Sequence, residues 1–379
     1  MVTTHYIDLK TLLNDLQHGP FVSIYLNTLP LRNEAEKSQI TYKNLLKEAK
    51  EQFTTLFPET NWSSFEAQLT PLLSDATFWR DQLSISLGII VNQNEMMVTR
   101  LNSAVTQRVS VSRFPDLMPI INNNQRQFDY TLLCLNQDSF RLFKYEGQRF
   151  SEITFPEDAP TTLKKALGEE IKGGDLNFRT NGDGAGSVSY HGHNAKDEET
   201  EIDHHNYYQA IDDYLIDHTD SKRLILFGLS ENQALFRQLS KNSALAQHLK
   251  ITASPANLSK EQIQKQTEPL HQQWAAAIVA ITLDRYQNAI PQRKILTTSQ
   301  DLVLAAKAGQ IDTLLLAQDG FAAGIMTADG LDQSTPIGQR HNLLFDLSDY
   351  TLNFGGKVVI IPSEQMPEGQ TACAISRYR

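Results

Sequence analysis

Cysteine is nearly missing from this sequence: 379 residues hold two, Cys134 inside the apolar run YTLLCL and Cys373 near the end. Two cysteines cannot make the disulfide framework of a small secreted domain or a four-cysteine zinc site, so both are expected as reduced core residues. Long apolar runs are missing as well. The most apolar stretch, residues 274–283, is too short for a membrane span of about 20 residues, and no positively charged start leads into an apolar run. The expected compartment is the cytoplasm, with no membrane partner. There is no basic excess either: 34 Lys and Arg stand against 44 Asp and Glu, a net charge of −10 that opposes whole-surface attraction to nucleic acid or anionic lipid. DNA is not an expected partner, and any RNA contact must be local. Lys164, Lys165, Lys172 and Arg179 do gather, but such a group reads as a solvated helix face.

Several catalytic signatures are absent. No G-x-S-x-G elbow occurs, so a serine hydrolase of that type is not indicated. NGDGAG, at residues 181–186, has glycines but lacks the lysine and Ser/Thr of a phosphate-binding loop, and GFAAG, at 320–324, reads as a glycine turn between strands. No cofactor is expected.

What is present is enough apolar material, 40% of residues, for a fully globular chain of two or three domains. FVSIYLNT reads as a strand. In EAEKSQITYKNLLKEAKEQF, Tyr42, Leu45, Leu46, Ala49 and Phe53 recur at helical spacing, which predicts an amphipathic helix packed on that strand. LSISLGIIV and EMMVTRL read as two more strands, and the polar INNNQRQ, residues 121–127, reads as a linker. A second segment starts with an antiparallel meander, FDYTLLCLNQDSFRLFKYEGQRFSEI, and continues with alternating helix and strand through KRLILFGL and NQALFRQL to a long helix broken near Pro269. That order predicts a mixed sheet with covering helices. The third segment alternates helix and strand, with Gly309, Gly355 and Gly356 where helix ends favour glycine, and reads as a compact α/β/α layer. The expected fold class is α/β (α+β), with domains at 1–125, 126–286 and 287–379.

One stretch of the second segment is unlike the rest. Residues 180–205, TNGDGAGSVSYHGHNAKDEETEIDHH, carry Gly182, Gly184, Gly186 and Gly192, four of the ten histidines and six carboxylates. Ordering such a loop costs about 1 to 2 kcal/mol per residue in backbone entropy, and Val188 and Tyr190 are nearly the only side chains whose burial offsets it. The loop, taken from 172 to 205, is expected to be mobile when the protein is alone. Next to it, Tyr207, Ile211, Tyr214 and Leu215 fall on one helix face, which leaves Asp212 and Asp213 as expected solvent-facing residues and Tyr207 as a core residue.

The run SIYLNT, then YKNLLKEA, RFPDLMPI, RLFKYEGQRF, the glycine-histidine loop ahead of an aromatic helix, AAKAGQIDTLLLA and the ending PEGQTACAISRY together resemble the bacterial relatives of the archaeo-eukaryotic peptide-chain release factor and Pelota. The resemblance spans nearly the whole chain. It implies three domains: an amino-terminal one, a central one with an RNase H-like sheet, and a carboxy-terminal α/β/α Pelota-like one. It also implies a ribosome or tRNA-containing complex as partner. In the release factors a loop ending in Gly-Gly-Gln, just before a long helix, promotes hydrolysis of the peptidyl-tRNA ester. Glycines there permit backbone shapes that a side chain forbids, and the glutamine positions a water near the carbonyl. Gly192, His193 and Asn194 occupy the corresponding place in this chain and are the residues the resemblance offers for that role, although no Gly-Gly-Gln occurs anywhere in it. Pelota rescues stalled ribosomes without the tripeptide, so ribosome binding and ester hydrolysis are separable. A non-catalytic interaction module on the same scaffold is the first alternative. The second is a metal-dependent hydrolase using His191, His193, His204 and His205, with Asp197, Glu201 and Asp203 as further donors, a set that matches neither H-E-x-x-H nor a His/Cys ribbon.

Overall fold

In FVSIYLN the β-branched and aromatic side chains alternate between two buried directions, so the segment forms a strand, β1 (Phe21–Asn27), with both faces covered. The structure, a computed structural model, describes residues 19–28, 35–80, 84–147, 149–168 and 192–378. After β1 come α1 (Ala35–Leu56), α2 (Ser63–Ser74), α3 (Ala76–Arg80), β2 (Ser86–Val91), β3 (Met96–Leu101), β4 (Arg108–Ser112) and α4 (Met118–Gln125). The first four strands make an antiparallel sheet in the order β3-β2-β1-β4. Val22, Ile24 and Leu26 pack on one side with Tyr42, Phe53, Phe65 and Leu69 of α1 and α2, the helix-on-strand packing the spacing predicts.

The middle of the chain forms β5 (Tyr130–Leu135), β6 (Phe140–Glu146), β7 (Arg149–Glu152), α5 (Leu163–Leu167), α6 (Gly192–His218), β8 (Leu224–Gly228), α7 (Ser230–Leu239), β9 (Leu245–Thr252), α8 (Lys260–Gln266) and α9 (Glu268–Ala289). Its five strands run in the order β7-β6-β5-β8-β9. The meander β5 to β7 is antiparallel, and β8 and β9 continue it in parallel from β5. This is the mixed sheet with covering helices that the pattern predicts. The long closing helix is interrupted at Thr267, ahead of Pro269: proline has no N–H with which to continue the preceding helix, and it is tolerated in the first turn of a new one, where it stands here.

The carboxy-terminal part contains β10 (Ile295–Leu296), α10 (Ser299–Lys307), β11 (Ile311–Ala317), β12 (Ile325–Thr327), β13 (Gly330–Asp332), α11 (Pro336–Arg340), α12 (Leu343–Asn353), β14 (Lys357–Ile361) and β15 (Ala372–Ser376). The larger sheet has the order β10-β15-β11-β14, with β11 and β14 parallel, and β12–β13 is a separate hairpin. Gly309 after α10 and Gly355 after α12 have φ of +65° and +71°, the left-handed conformation in which glycine ends a helix.

The architecture is thus mixed α+β with several sheets. The chain divides into two compact units, one made of Met1–Arg126 with Ala276–Arg379 and the other of Gln127–Ala275. In the first unit both chain ends share a core, in which Phe21, Tyr25, Leu117 and Ile121 lie with Val303, Leu316, Phe345 and Ile360. The polar run INNNQ, read from sequence as linker, is instead helix α4. Its Gln125 amide donates to the Ile360 carbonyl at 3.0 Å and accepts from the Ile360 N–H at 2.9 Å. The Asn123 side chain accepts from the Asn102 N–H at 2.8 Å. These amides stand where a linker would have solvated ones: they complete the backbone hydrogen bonding of neighbouring strands.

Candidate functional site

The histidine-rich region enters the described structure on α6. The helix begins at Gly192, so residues 192–205 are helical, where the sequence reading extends the loop to 205. The physical reason lies in the letters. Ala195, Lys196, Glu198, Glu199 and Glu201 are strong helix formers. Residues 172–191, and with them His191, lie outside the described residues.

The carboxy-terminal half of α6 is held firmly on the central sheet. Tyr207, Tyr208, Ile211 and Leu215 are fully or almost fully buried with Leu133, Leu142, Leu226 and Phe236. The Tyr207 hydroxyl donates to the Thr161 carbonyl and that of Tyr208 to the Asn136 carbonyl, each at 3.1 Å. Burial pushes both phenols well above the usual tyrosine range, so they stay neutral. Tyr207 is the core residue the spacing predicts. Tyr208 joins it, which removes the pair as a stacking surface for RNA bases.

Asp212 departs from its predicted position. It is 2% exposed, and its carboxylate accepts from Ser240 Oγ at 2.5 Å and from the Lys241 N–H at 2.6 Å. Asp213 is exposed, as expected. The missed signal is Tyr208: Tyr208 and Asp212 are four residues apart and share a helix face. Asp212 therefore ties α6 to the end of α7, where it receives the chain leaving that helix.

The candidate residues take their positions from this anchored helix. At about 1.5 Å of rise per residue, His193 and Asn194 lie roughly 20 Å along the axis from Tyr207. His204 and His205 are half-buried neighbours. Adjacent helical positions point about 100° apart, so these two histidines leave the helix in different directions. Among the described residues no three His, Cys, Asp or Glu side chains come close enough to hold a metal ion. Cys134 and Cys373 are buried and free, and burial pushes each thiol up to about 12, consistent with unreactive core residues.

A second concentration of chemistry, unpredicted from sequence, lies in the other unit. His341 donates from Nε2 to the fully buried carboxylate of Asp346, whose other oxygen accepts from the Met326 N–H at 2.7 Å. Nearby, Arg108 joins the buried Asp116 at 2.8 Å to Asp319 at 2.6 Å. His341 and Arg108 both line a cavity of about 580 Å³. The sequence signal is faint: a histidine five residues before an aspartate, straddling the start of α12.

Among the described residues no helix is long and apolar enough to cross a membrane. Residues 128–273, which cover all five strands of the central unit, match the model of bacterial archaeo-eukaryotic release factor family 6. No curated protein matches the chain. Among solved structures, the Pelota of Archaeoglobus fulgidus is similar at 12% identity and a TM-score of 0.38, over 77% of this chain and 80% of that one. Dom34 of S. cerevisiae, described as a translation termination-like factor involved in RNA quality control pathways and interacting with Hbs1, is similar at 13% identity and a TM-score of 0.35, over 79% and 74%. A ribosome-bound archaeal Pelota gives 10% identity and 0.35, over 76% and 74%. Superpositions at these scores are too loose to transfer a domain arrangement or a site, and the family match carries the conclusion. The likeness to the bacterial relatives of the archaeo-eukaryotic release factors is thus carried by the central segment, residues 128–273, of this chain.

Proposed function

We propose that the protein is a translation-associated factor of the release or rescue kind, which binds ribosomes or tRNA-containing complexes in the cytoplasm. The match of residues 128–273 to the release factor family is the observation that carries this reading. On it, the chain works as three parts, 1–125, 126–286 and 287–379, with an RNase H-like central sheet and a Pelota-like carboxy-terminal layer. An antiparallel meander continued by two parallel strands supports the RNase H-like description of the centre. The role of α6 is to hold Gly192, His193 and Asn194 about 20 Å from its buried anchor, where they meet the partner's RNA.

Because Gly-Gly-Gln is absent, two activities are open to such a factor. Either the Gly192–His193–Asn194 group positions water for hydrolysis of the peptidyl-tRNA ester, or the factor binds without hydrolysing. A release assay on ribosomes loaded with labelled peptidyl-tRNA separates them. Ribosome-dependent release that is lost in a variant with alanine at positions 193 and 194 supports hydrolysis. Stable binding with no release supports the interaction module. Failure to bind ribosomes in any state rejects both.

A further inference from the structure

We propose that the unit built from the two chain ends holds a binding site for a small aromatic anion, apart from the central segment and independent of any ribosome contact. The site is a cleft with α1 and β4 on one side and the β12–β13 hairpin, α11 and the start of α12 on the other. Its wider part, about 580 Å³, reaches from Gln52 and Thr55 of α1 to Phe321 and Arg340. A narrower part of about 260 Å³ runs on between Phe57, Ile325 and Ile337. The two share Leu56, Val111, Ser112 and His341, so they are one continuous space with a polar mouth and an apolar end. A cleft of several hundred Å³ with mostly apolar walls and a few converging polar groups is the usual form of a small-molecule site.

Its polar groups specify the ligand. Arg108 is committed through Nε to Asp116 and through Nη1 to Asp319. Arg340 is exposed at the mouth and has no hydrogen-bond or ion-pair partner among the described residues. Arg108 has a carboxylate on each side, whereas a guanidinium without one at the mouth of a cleft suits an incoming anion. Of the other charged groups on the cleft, Glu51 faces Lys47 at 3.8 Å on the same helix, Asp332 in the narrower part accepts from Ser334 and Thr335, and Arg113, exposed there, adds a second positive charge.

His341 supplies the second feature. Asp346, with no exposed surface, accepts its Nε2–H and so fixes both the ring and the tautomer, as a buried carboxylate does for a ligand-binding histidine. Among the described residues nothing bonds Nδ1, which leaves an acceptor for an N–H or O–H group of the ligand. Phe321, 55% exposed at the mouth, and the apolar walls behind it call for a flat apolar body. The chemistry these groups recognise together is an aromatic ring system with one anionic group and one N–H or O–H donor.

Anilinonaphthalene sulfonate has all three features and serves as the probe, titrated calorimetrically into the full chain. The proposal predicts saturable one-to-one binding. Arg340→Ala, which removes the charge-assisted contact, weakens binding by about tenfold or more, and Thr55→Trp, which fills the mouth from an exposed position, weakens it at least as much. Both variants keep the parent melting temperature, because neither residue is buried. Sulfate alone and naphthol alone each bind more weakly than the sulfonate. Absence of saturable binding overturns the proposal, as does equal affinity in either variant or binding of sulfate or naphthol as tight as that of the probe.

Discussion

Replacing Asp212 with alanine tests the anchoring of α6, on which the position of Gly192, His193 and Asn194 depends. Asp212 is 2% exposed and accepts two hydrogen bonds, from Ser240 Oγ and from the Lys241 N–H. A hydrogen bond to a charged group contributes about 1.5 to 3 kcal/mol, and its loss leaves the donor unpaired. Alanine returns about 0.5 kcal/mol or a little more through its better helix propensity. The net expectation is a destabilisation of the central unit by roughly 3 kcal/mol, or about a hundredfold in an opening equilibrium. The assay is native-state amide exchange read by mass spectrometry, in which peptides covering β5 and β8 exchange about a hundredfold faster in Asp212→Ala than in the parent. Peptides from β1 and β11, in the other unit, are unchanged. Asp213→Ala, one residue away and exposed, is the control and stays within about 0.5 kcal/mol of the parent. Equal effects of the two substitutions, or a loss of protection spread over both units, would refute the reasoning.

Other perturbations have comparable readouts. Arg108→Ala strands the buried Asp116 carboxylate and is expected to cost about 3 kcal/mol in urea unfolding, whereas Asp319→Ala removes a partly exposed partner and costs about 1 kcal/mol or less. Gln125→Ala loses both hydrogen bonds to Ile360 and costs about 1 to 2 kcal/mol, a loss that a solvated linker residue would not give. Asp349 supplies a pH dependence. Desolvation, helped by the nearby Asp346, raises its carboxyl from 3.8 to about 6, so the folded state favours the protonated acid. The resulting penalty is absent below about pH 4 and grows as pH rises through 6. Asp349→Asn therefore stabilises the protein by about 1 to 2 kcal/mol at pH 8 and leaves it unchanged at pH 4; thermal melts at the two pH values check this, and a gain of equal size at both contradicts it.

Segments whose apolar pattern repeats with one period were legible from sequence. β1, α1, the β5 to β7 meander, α10, β11, α12, β14 and β15 fall where strand or helix spacing puts them. Segments that draw their stability from tertiary partners were not. The asparagine-rich α4 has poor helix propensity, and it is held by the burial of Met118, Ile120 and Ile121 and by the bonds of Asn123 and Gln125 to neighbouring strands. β4 reads RVSVS, too short and polar to stand out, yet it closes the edge of the first sheet. β9 is largely solvent-facing and mixes charged with apolar residues, so neither period dominates. At the candidate site the sequence located α6 and its buried Tyr207 but left Asp212 in solvent, because a face defined by Ile211, Tyr214 and Leu215 does not reveal a carboxylate whose partners lie 28 and 29 residues later. His341 and Asp346 escaped notice for the same reason: the hydrogen bond between them is a property of the turn into α12, which residue spacing does not encode.

Sedimentation with ribosomes through a sucrose cushion tests the functional reading most directly. The protein is predicted to pellet with ribosomes at low ionic strength and to be released as salt rises, since local contacts to RNA are salt-dependent. Protein that stays in the supernatant with empty, translating and stalled ribosomes alike, at every salt concentration, would contradict that reading.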